Sequence, residues 1–127
     1  NHYNSWRIFR YAHVLLHAVE LEIRINGSVT SQAQGWFDQI RDRAFGDKNH
    51  RINLSGKSKE ELLDIIFDER GYEFIDEMQR WFDIMRFDKG EEILASKGWT
   101  EKYRYFPICQ SEIDKSKGGL TQNEAWL

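Results

Sequence analysis

An apolar row that turns into a charged one constrains this chain more than any other feature. Leu62 and Ile66 begin a helical face, which continues at the same spacing through Glu69, Glu73, Asp76 or Glu77, and Arg80. Residues three or four apart share one side of a helix. Charges on a core-facing row are costly unless paired. The stretch Asp68-Glu-Arg-Gly-Tyr-Glu73, followed by Arg80-Trp-Phe-Asp-Ile-Met-Arg86, must therefore frame a buried ion network or floor an active site. The acids have cations within helical reach: Asp76 to Arg80 at i,i+4, and Asp83 to Arg86 at i,i+3. Acid–base work needs an environment that splits carboxylate pKa values, and no residue in the run supplies one. Glu69, Arg70, Glu73, Arg80, Asp83 and Arg86 are read as a structural ion network, with no catalytic residue among them.

The remaining periodicity is helical. Ser5 to Ile25 reads as a helix with one apolar face at Phe9, Ala12, Leu16, Val19 and Ile23, and a second at Val14, Ala18, Leu21 and Ile25. Between them runs a polar strip of Arg10, His13, His17, Glu20 and Arg24. A helix so apolar is expected to be buried on most sides. Asn26-Gly27 closes it, and Ser28 to Ser31 offers capping side chains for the next helix. That helix turns Ala33, Trp36 or Phe37, Ile40 and Ala44 inward, carries Arg41 and Arg43 near its C-terminal end, and stops at Gly46. The short connection predicts an antiparallel pair. After a polar loop, Ser58-Lys-Glu-Glu61 forms a capping-box pattern. The third helical stretch runs toward Phe87 with a break near Asp76 to Met78, along a stripe of Leu63, Phe67, Phe74, Met78, Trp81 or Phe82, and Met85. Glu91 to Lys97 adds a short helix ended by Gly98, Tyr103 to Pro107 a short extended piece, and the rest an irregular tail that wraps the helices. The fold class is all-α, in one domain over 1–127.

Composition narrows the function. A net charge of −3 over 127 residues argues against nucleic acid as a partner, since phosphate-binding faces are usually basic. No apolar run approaches the roughly 20 residues of a membrane span, and the lone Cys109 forms no intrachain disulfide. His13 and His17 have the i,i+4 spacing of paired metal ligands, but Val14 stands where a zinc-protease helix has Glu, and Arg10 and Arg24 repel a cation. No metal or cofactor is expected. Eighteen aromatic residues, 14% of the chain, suit both a core of large rings and a surface that stacks on flat ligands. Trp99, Tyr103, Tyr105 and Trp126 fall outside the helical stripes. They are candidates to stack on a flat ligand, or anchors that hold the tail on the helices.

Several stretches resemble the SusD/RagB family of surface glycan-binding lipoproteins from Bacteroidetes. Phe9-Arg-Tyr-Ala12 with Val14-Leu-Leu16 and Glu20 is similar to the family's RYADVLLMYAEA helix, and Gln39-Ile-Arg-Asp-Arg-Ala44 to its N-x-V-R-x-R-A helix end. Asp68-Glu-Arg70, Glu73 and Arg80-Trp-Phe-Asp83 match its E-R-x-x-E and H-R-W-F-D signature, and Phe106-Pro-Ile108, Gln110 to Asp114 and Leu120 to Asn123 resemble its closing segment. The departures are His13 for the usual Asp, Asp76 for an aromatic, Met78 for Gly, Gln79 for His, Cys109 for Pro and Glu124-Ala-Trp126 for Pro-Gly-Tyr.

The resemblance implies a tetratricopeptide-like helix pair plus further helices, as the C-terminal part of a longer parent chain. It implies non-enzymatic capture of an oligosaccharide or polysaccharide, delivered to a TonB-dependent, SusC-like outer-membrane transporter. The location would be the cell-surface face of the outer membrane, held by an N-terminal lipid anchor absent from this stretch, which itself serves mainly as scaffold. Two other readings stand beside it: a helical-repeat module binding protein or peptide, and a metallohydrolase using His13, His17, Glu69 and Glu73.

Overall fold

The computed structural model describes residues 8–127, and every regular element among them is helical. The chain divides into two compact units, Asn1–Arg80 and Trp81–Leu127.

In the first unit, α1 (Tyr11–Asn26) packs against both α2 (Ser31–Phe45) and α3 (Lys59–Glu73). It starts later than the sequence reading, which ran from Ser5; residues 5–7 of that reading lie outside the described residues. Gly27, at φ 69°, ends α1 by sending its N–H to the Ile23 carbonyl at 2.9 Å. A side chain at this left-handed φ would be strained. Thr30 then caps α2, its hydroxyl accepting from the Ala33 N–H at 3.2 Å. Its own N–H and hydroxyl both go to the Glu22 carboxylate on α1, which fixes the angle between the helices. The expected box at α3 forms: Ser58 Oγ accepts from the Glu61 N–H, and Glu61 accepts from the Ser58 N–H at 2.8 Å.

The core of this unit gathers Leu16, Val19 and Ile23 from α1, Ala33, Phe37 and Ile40 from α2, and Leu62, Ile66 and Phe67 from α3. Each large side chain there contributes on the order of 1.5–3 kcal/mol by leaving water. Leu54, from the polar loop, is also fully buried. Gln34 holds it in place, accepting from the Leu54 N–H at 2.8 Å and donating to the Ile52 carbonyl at 3.0 Å.

Three expectations change. Val14, Leu21 and Ile25, the second apolar face of α1, are exposed rather than buried. His13 and Glu20, assigned to a polar strip, are buried instead. The third helical stretch breaks near Asp76 to Met78, as expected: Phe74 caps α3, and Asp76 and Met78 take left-handed backbone at φ 64° and 59°. Met78 leaves the expected stripe and is largely exposed.

In the second unit, α4 (Arg80–Arg86, entered from the last residue of the first) is followed by α5 (Gly90–Leu94), a 3-10 turn at Ala95–Lys97 and another at Glu101–Arg104. The latter occupies part of the expected extended piece, which begins only at Tyr105. The tail contains a short helix that the sequence reading lacks, α6 (Gln110–Lys115), before a last turn at Glu124–Trp126. Trp99 is buried flat against the start of α5, where a Cβ on Gly90 would lie 2.5 Å from its ring.

Two of the helical glycines without positive φ make opposite predictions. Gly35, in the middle of α2, has open space around its Cβ position, so Gly35→Ala should stabilise by about 0.5–1 kcal/mol through helix propensity. Gly90→Ala should destabilise by about 1–3 kcal/mol, because overpacking against a rigid buried indole exceeds the propensity gain. Urea unfolding of both variants checks the pair; equal effects would contradict the packing.

Candidate functional site

The charged row at the end of α3 is held by arginines from the other two helices. Glu73, whose side chain is 4% exposed, lies between Arg10 and Arg43. Arg10 Nη1 donates to its carboxylate at 2.6 Å and Nη2 to its backbone carbonyl at 2.7 Å, while Arg43 takes the second carboxylate oxygen. Arg10 also grips Glu77, through Nε at 2.9 Å and Nη2 at 2.6 Å. That bond is the main reason the Glu77 carboxyl sits below its usual range and the Arg10 guanidinium above its own. One turn before Glu73, Glu69 pairs with Arg41. Burial pushes the Glu69 pKa up in spite of Arg41, since desolvation disfavours the charged form.

Arg70 is fully buried with its guanidinium 5.1 Å from the centre of the Phe74 ring. Arg80 donates to the Phe67 carbonyl at 3.1 Å and lies 3.9 Å over the Phe67 ring; the left-handed turn at Asp76 and Met78 replaces the anticipated helical pairing with Asp76. In the second unit, Asp83 is buried and accepts from Arg86 Nε at 2.8 Å. The residues of the expected network thus fall in both units. Arg10, Arg41, Arg43 and Glu77 are partners that helical spacing within one segment does not reveal.

His13 accepts the Arg10 N–H at Nδ1 (3.2 Å), so the neutral ring carries its proton on Nε2. The ring stacks on Phe74 at 4.0 Å and meets the edge of Phe9 at 5.4 Å. Nε2 is buried without a hydrogen-bond partner. His13 and His17 stand 6.5 Å apart, centre to centre, while Glu69 and Glu73 are taken by arginines. The four residues of the hydrolase reading are not gathered around a common point, and no cluster of three or more metal-ligating side chains occurs among the described residues.

The aromatic candidates all lie in the second unit, in three different settings. Trp99 is buried, and its Nε1 has no hydrogen-bond partner. Trp126 is half-buried: its Nε1 donates to the Tyr105 carbonyl at 2.8 Å, its ring meets Tyr103 edge-on at 5.6 Å, and Lys102 Nζ lies 4.9 Å from its centre. Tyr105 remains 63% exposed. It borders an open groove of about 570 Å³ with Trp81, Phe82, Met85 and Phe106, and with Arg86, Arg104 and Asn123 on its walls. Trp81, Phe82 and Phe106 belong to this surface although the sequence reading assigned Trp81 or Phe82 to a helix stripe. The groove offers aromatic faces that can stack on a flat apolar surface. Its polar walls are already engaged: Arg104 bonds Glu101, Asp88 and the Met85 carbonyl, and Asn123 donates to the Phe106 carbonyl at 2.7 Å.

The described residues thus combine an all-helical frame, carboxylates paired with arginines and an aromatic groove. The SusD family model matches residues 1–98, and the chain belongs to that family. Among curated proteins it is similar to SusD-like protein P2 of Formosa agariphila, 38% identical over 92 residues that cover 70% of this chain and 18% of that protein. SusD-like protein P25 of the same organism is 32% identical over 87 residues, covering 68% of this chain and 16% of that one. Among solved structures, surface glycan-binding protein A from Bacteroides thetaiotaomicron superposes with a TM-score of 0.74 at 34% identity, over 93% of this chain and 24% of that one. The same protein in complex with laminarihexaose gives a TM-score of 0.73, over 92% of this chain and 24% of that one. The chain therefore spans under a fifth of the curated relatives and about a quarter of the solved ones.

Two stability predictions come from the α3 cluster. Glu73→Gln leaves Arg10 and Arg43 without their shared carboxylate and should cost about 1–3 kcal/mol, below the full cost of breaking a buried pair because both arginines reach solvent. A urea midpoint equal to wild type would show the pairing to be energetically idle. His13 makes the second. Burial lowers its pKa from 6.5, with Arg10 and Arg70 acting in the same direction, Glu77 opposing them and His17 beside the ring. Below pH 6.5 the unfolded chain binds a proton that the folded ring refuses, so this contribution is complete above 6.5 and is lost as pH falls toward the folded pKa. His13→Phe, which keeps the stack on Phe74, should flatten the pH dependence of Tm in that window.

Proposed function

We propose that the protein carrying this chain captures oligosaccharide at the bacterial cell surface without altering it, and hands it to a TonB-dependent transporter of the outer membrane. The observation that carries this reading is the relative solved with laminarihexaose, which shares 34% identity with this chain over nearly its whole length. Family membership supports the same reading. The transporter, the surface location and a lipid anchor follow from the family resemblance of the motifs around Phe9–Glu20 and Asp68–Asp83. This stretch acts mainly as scaffold. Its carboxylates are committed to arginines, which leaves them ill-placed as acids or bases, and its four sequence candidates divide between tail anchors and one exposed ring. Tyr105, the most exposed ring of the four, is where any sugar contact from this stretch would begin.

Calorimetric titration of the intact protein with laminarihexaose and a panel of other oligosaccharides tests this, together with chromatography of the recovered ligand. Binding with the ligand returned at full length is expected. Shortened products would overturn the non-enzymatic reading, and retention of peptides with no glycan binding would favour the helical-repeat module. Tyr105→Ala separates scaffold from contact. A stacked ring contributes about 0.5–1.5 kcal/mol, roughly a two- to tenfold change in Kd, whereas a scaffold position should change it less than about twofold.

A further inference from the structure

Arg10 is held at two points, and they answer differently to acid. Its guanidinium grips Glu73 and Glu77. That hydrogen bond keeps Glu77 below the usual carboxylate range, so the grip outlasts mild acidification. Its backbone N–H, at the N-cap of α1, donates to His13 Nδ1 at 3.2 Å. A side chain that takes this N–H from three residues on does half the work of a capping box, a place ordinarily filled by Glu or Gln. Their oxygens accept throughout the neutral range. An imidazole nitrogen accepts only while it carries no proton.

The groups facing the ring decide when it takes one. From α1, Arg10 lies beside it and the His17 ring stands 6.5 Å away, centre to centre. From the end of α3, Phe74 stacks on it at 4.0 Å. The Phe74 ring already has the Arg10 and Arg70 guanidinium groups 5.2 Å and 5.1 Å from its centre. Glu77 favours the charged imidazole, but Arg10 occupies that carboxylate; Glu73 lies between Arg10 and Arg43 of α2. No acid lies in the first turn of α1, where a cation also meets the positive end of the helix dipole. Burial and the two arginines prevail over Glu77, and the ring in its place stays neutral.

A second proton would set Nδ1–H against the Arg10 N–H, donor facing donor. The ring must then leave its stack, and the cap goes with it. The guanidinium stays tied to Glu73 and Glu77, which confines the opening to the first turn.

We propose that His13 is a pH-sensitive latch on the start of α1, holding the first helical turn through the Arg10 N–H when neutral and releasing it when protonated. The sign follows from the direction of the shift. The latch is complete above pH 6.5, the ordinary value for imidazole, and weakens as pH falls toward the lower value of the ring in place. The release is local, unlike the loss of global stability, and independent of what the protein binds.

Hydrogen exchange of the intact protein tests it, read by mass spectrometry of peptides as protection relative to an unstructured chain at the same pH. Between pH 7.5 and 5.0, protection in the first turn of α1 should fall about three- to thirtyfold, the ceiling being set by the roughly 1.5 pH units below 6.5. The last turns of α1 and the whole of α2 should keep theirs. His13→Asn places an amide oxygen near the position of Nδ1 and does not titrate, so its first-turn protection should be equal at the two pH values. His13→Phe keeps the stack without an acceptor and should show the lowered protection at both. Equal wild-type protection at the two pH values would overturn the latch, as would a loss shared by α2. A loss of the same size in His13→Asn would equally overturn it. The wild-type comparison needs no substitution, so the test stands without the variants.

Discussion

The first unit depends on one carboxylate. Glu73 ends α3 almost wholly buried, and the residues that make it tolerable there come from the start of α1 and the end of α2. An apolar residue could fill the same volume, and buried ion pairs often contribute little net stability against such replacements. What the pair adds is directional. Arg10 can reach Glu73 only if the N-terminus of α1 lies at the C-terminus of α3, and Arg43 only if α2 ends there too. The neighbouring Arg41–Glu69 pair one turn back repeats the constraint. Apolar packing brings three helices together, and these contacts determine which ends meet.

The same cluster separates what was legible in the chain from what was not. Caps and ends were readable because their chemistry is local: Gly27, Thr30 and Ser58 act within a turn of their own position. The charged row was readable as needing partners, since its spacing continued that of Leu62 and Ile66. The partners themselves were not, because Arg10, Arg41 and Arg43 lie about thirty to sixty residues away. Helical spacing offered Asp76 for Arg80, but the backbone turns left-handed at Asp76 and Met78, and Arg80 goes to Phe67 instead. His13 misled for a related reason. On α1 alone it belongs to a polar strip, and the arrival of Phe74 from the end of α3 stacks an apolar ring on it.

Aromatic residues of the second unit show the limit of composition as a guide to sites. Trp99 and Tyr105 are alike in the sequence, both outside any helical stripe, yet one is buried and the other open. The difference lies in Gly90, whose missing side chain leaves room for an indole. Trp81, Phe82 and Phe106, by contrast, border the open groove although helical periodicity claimed one of the first two for the interior. Their placement depends on the tail, the part of the chain with the weakest local signal.

That tail is joined to itself through side chains reading backbone. The Gln122 amide accepts from the Ile108 N–H at 2.8 Å and donates to its carbonyl at 2.9 Å, much as a neighbouring strand would. Asn123 takes the Phe106 carbonyl and Trp126 that of Tyr105. The two sides of this join contribute different chemical groups. Residues 105, 106 and 108 contribute only main-chain groups to it, so their side chains are free to drift toward whatever the adjoining surface must recognise. Gln122, Asn123 and Trp126 have no such freedom, because each supplies the atom that makes the bond. The arrangement lets one face of the molecule be rewritten by point mutation while the path of the chain beneath it stays the same.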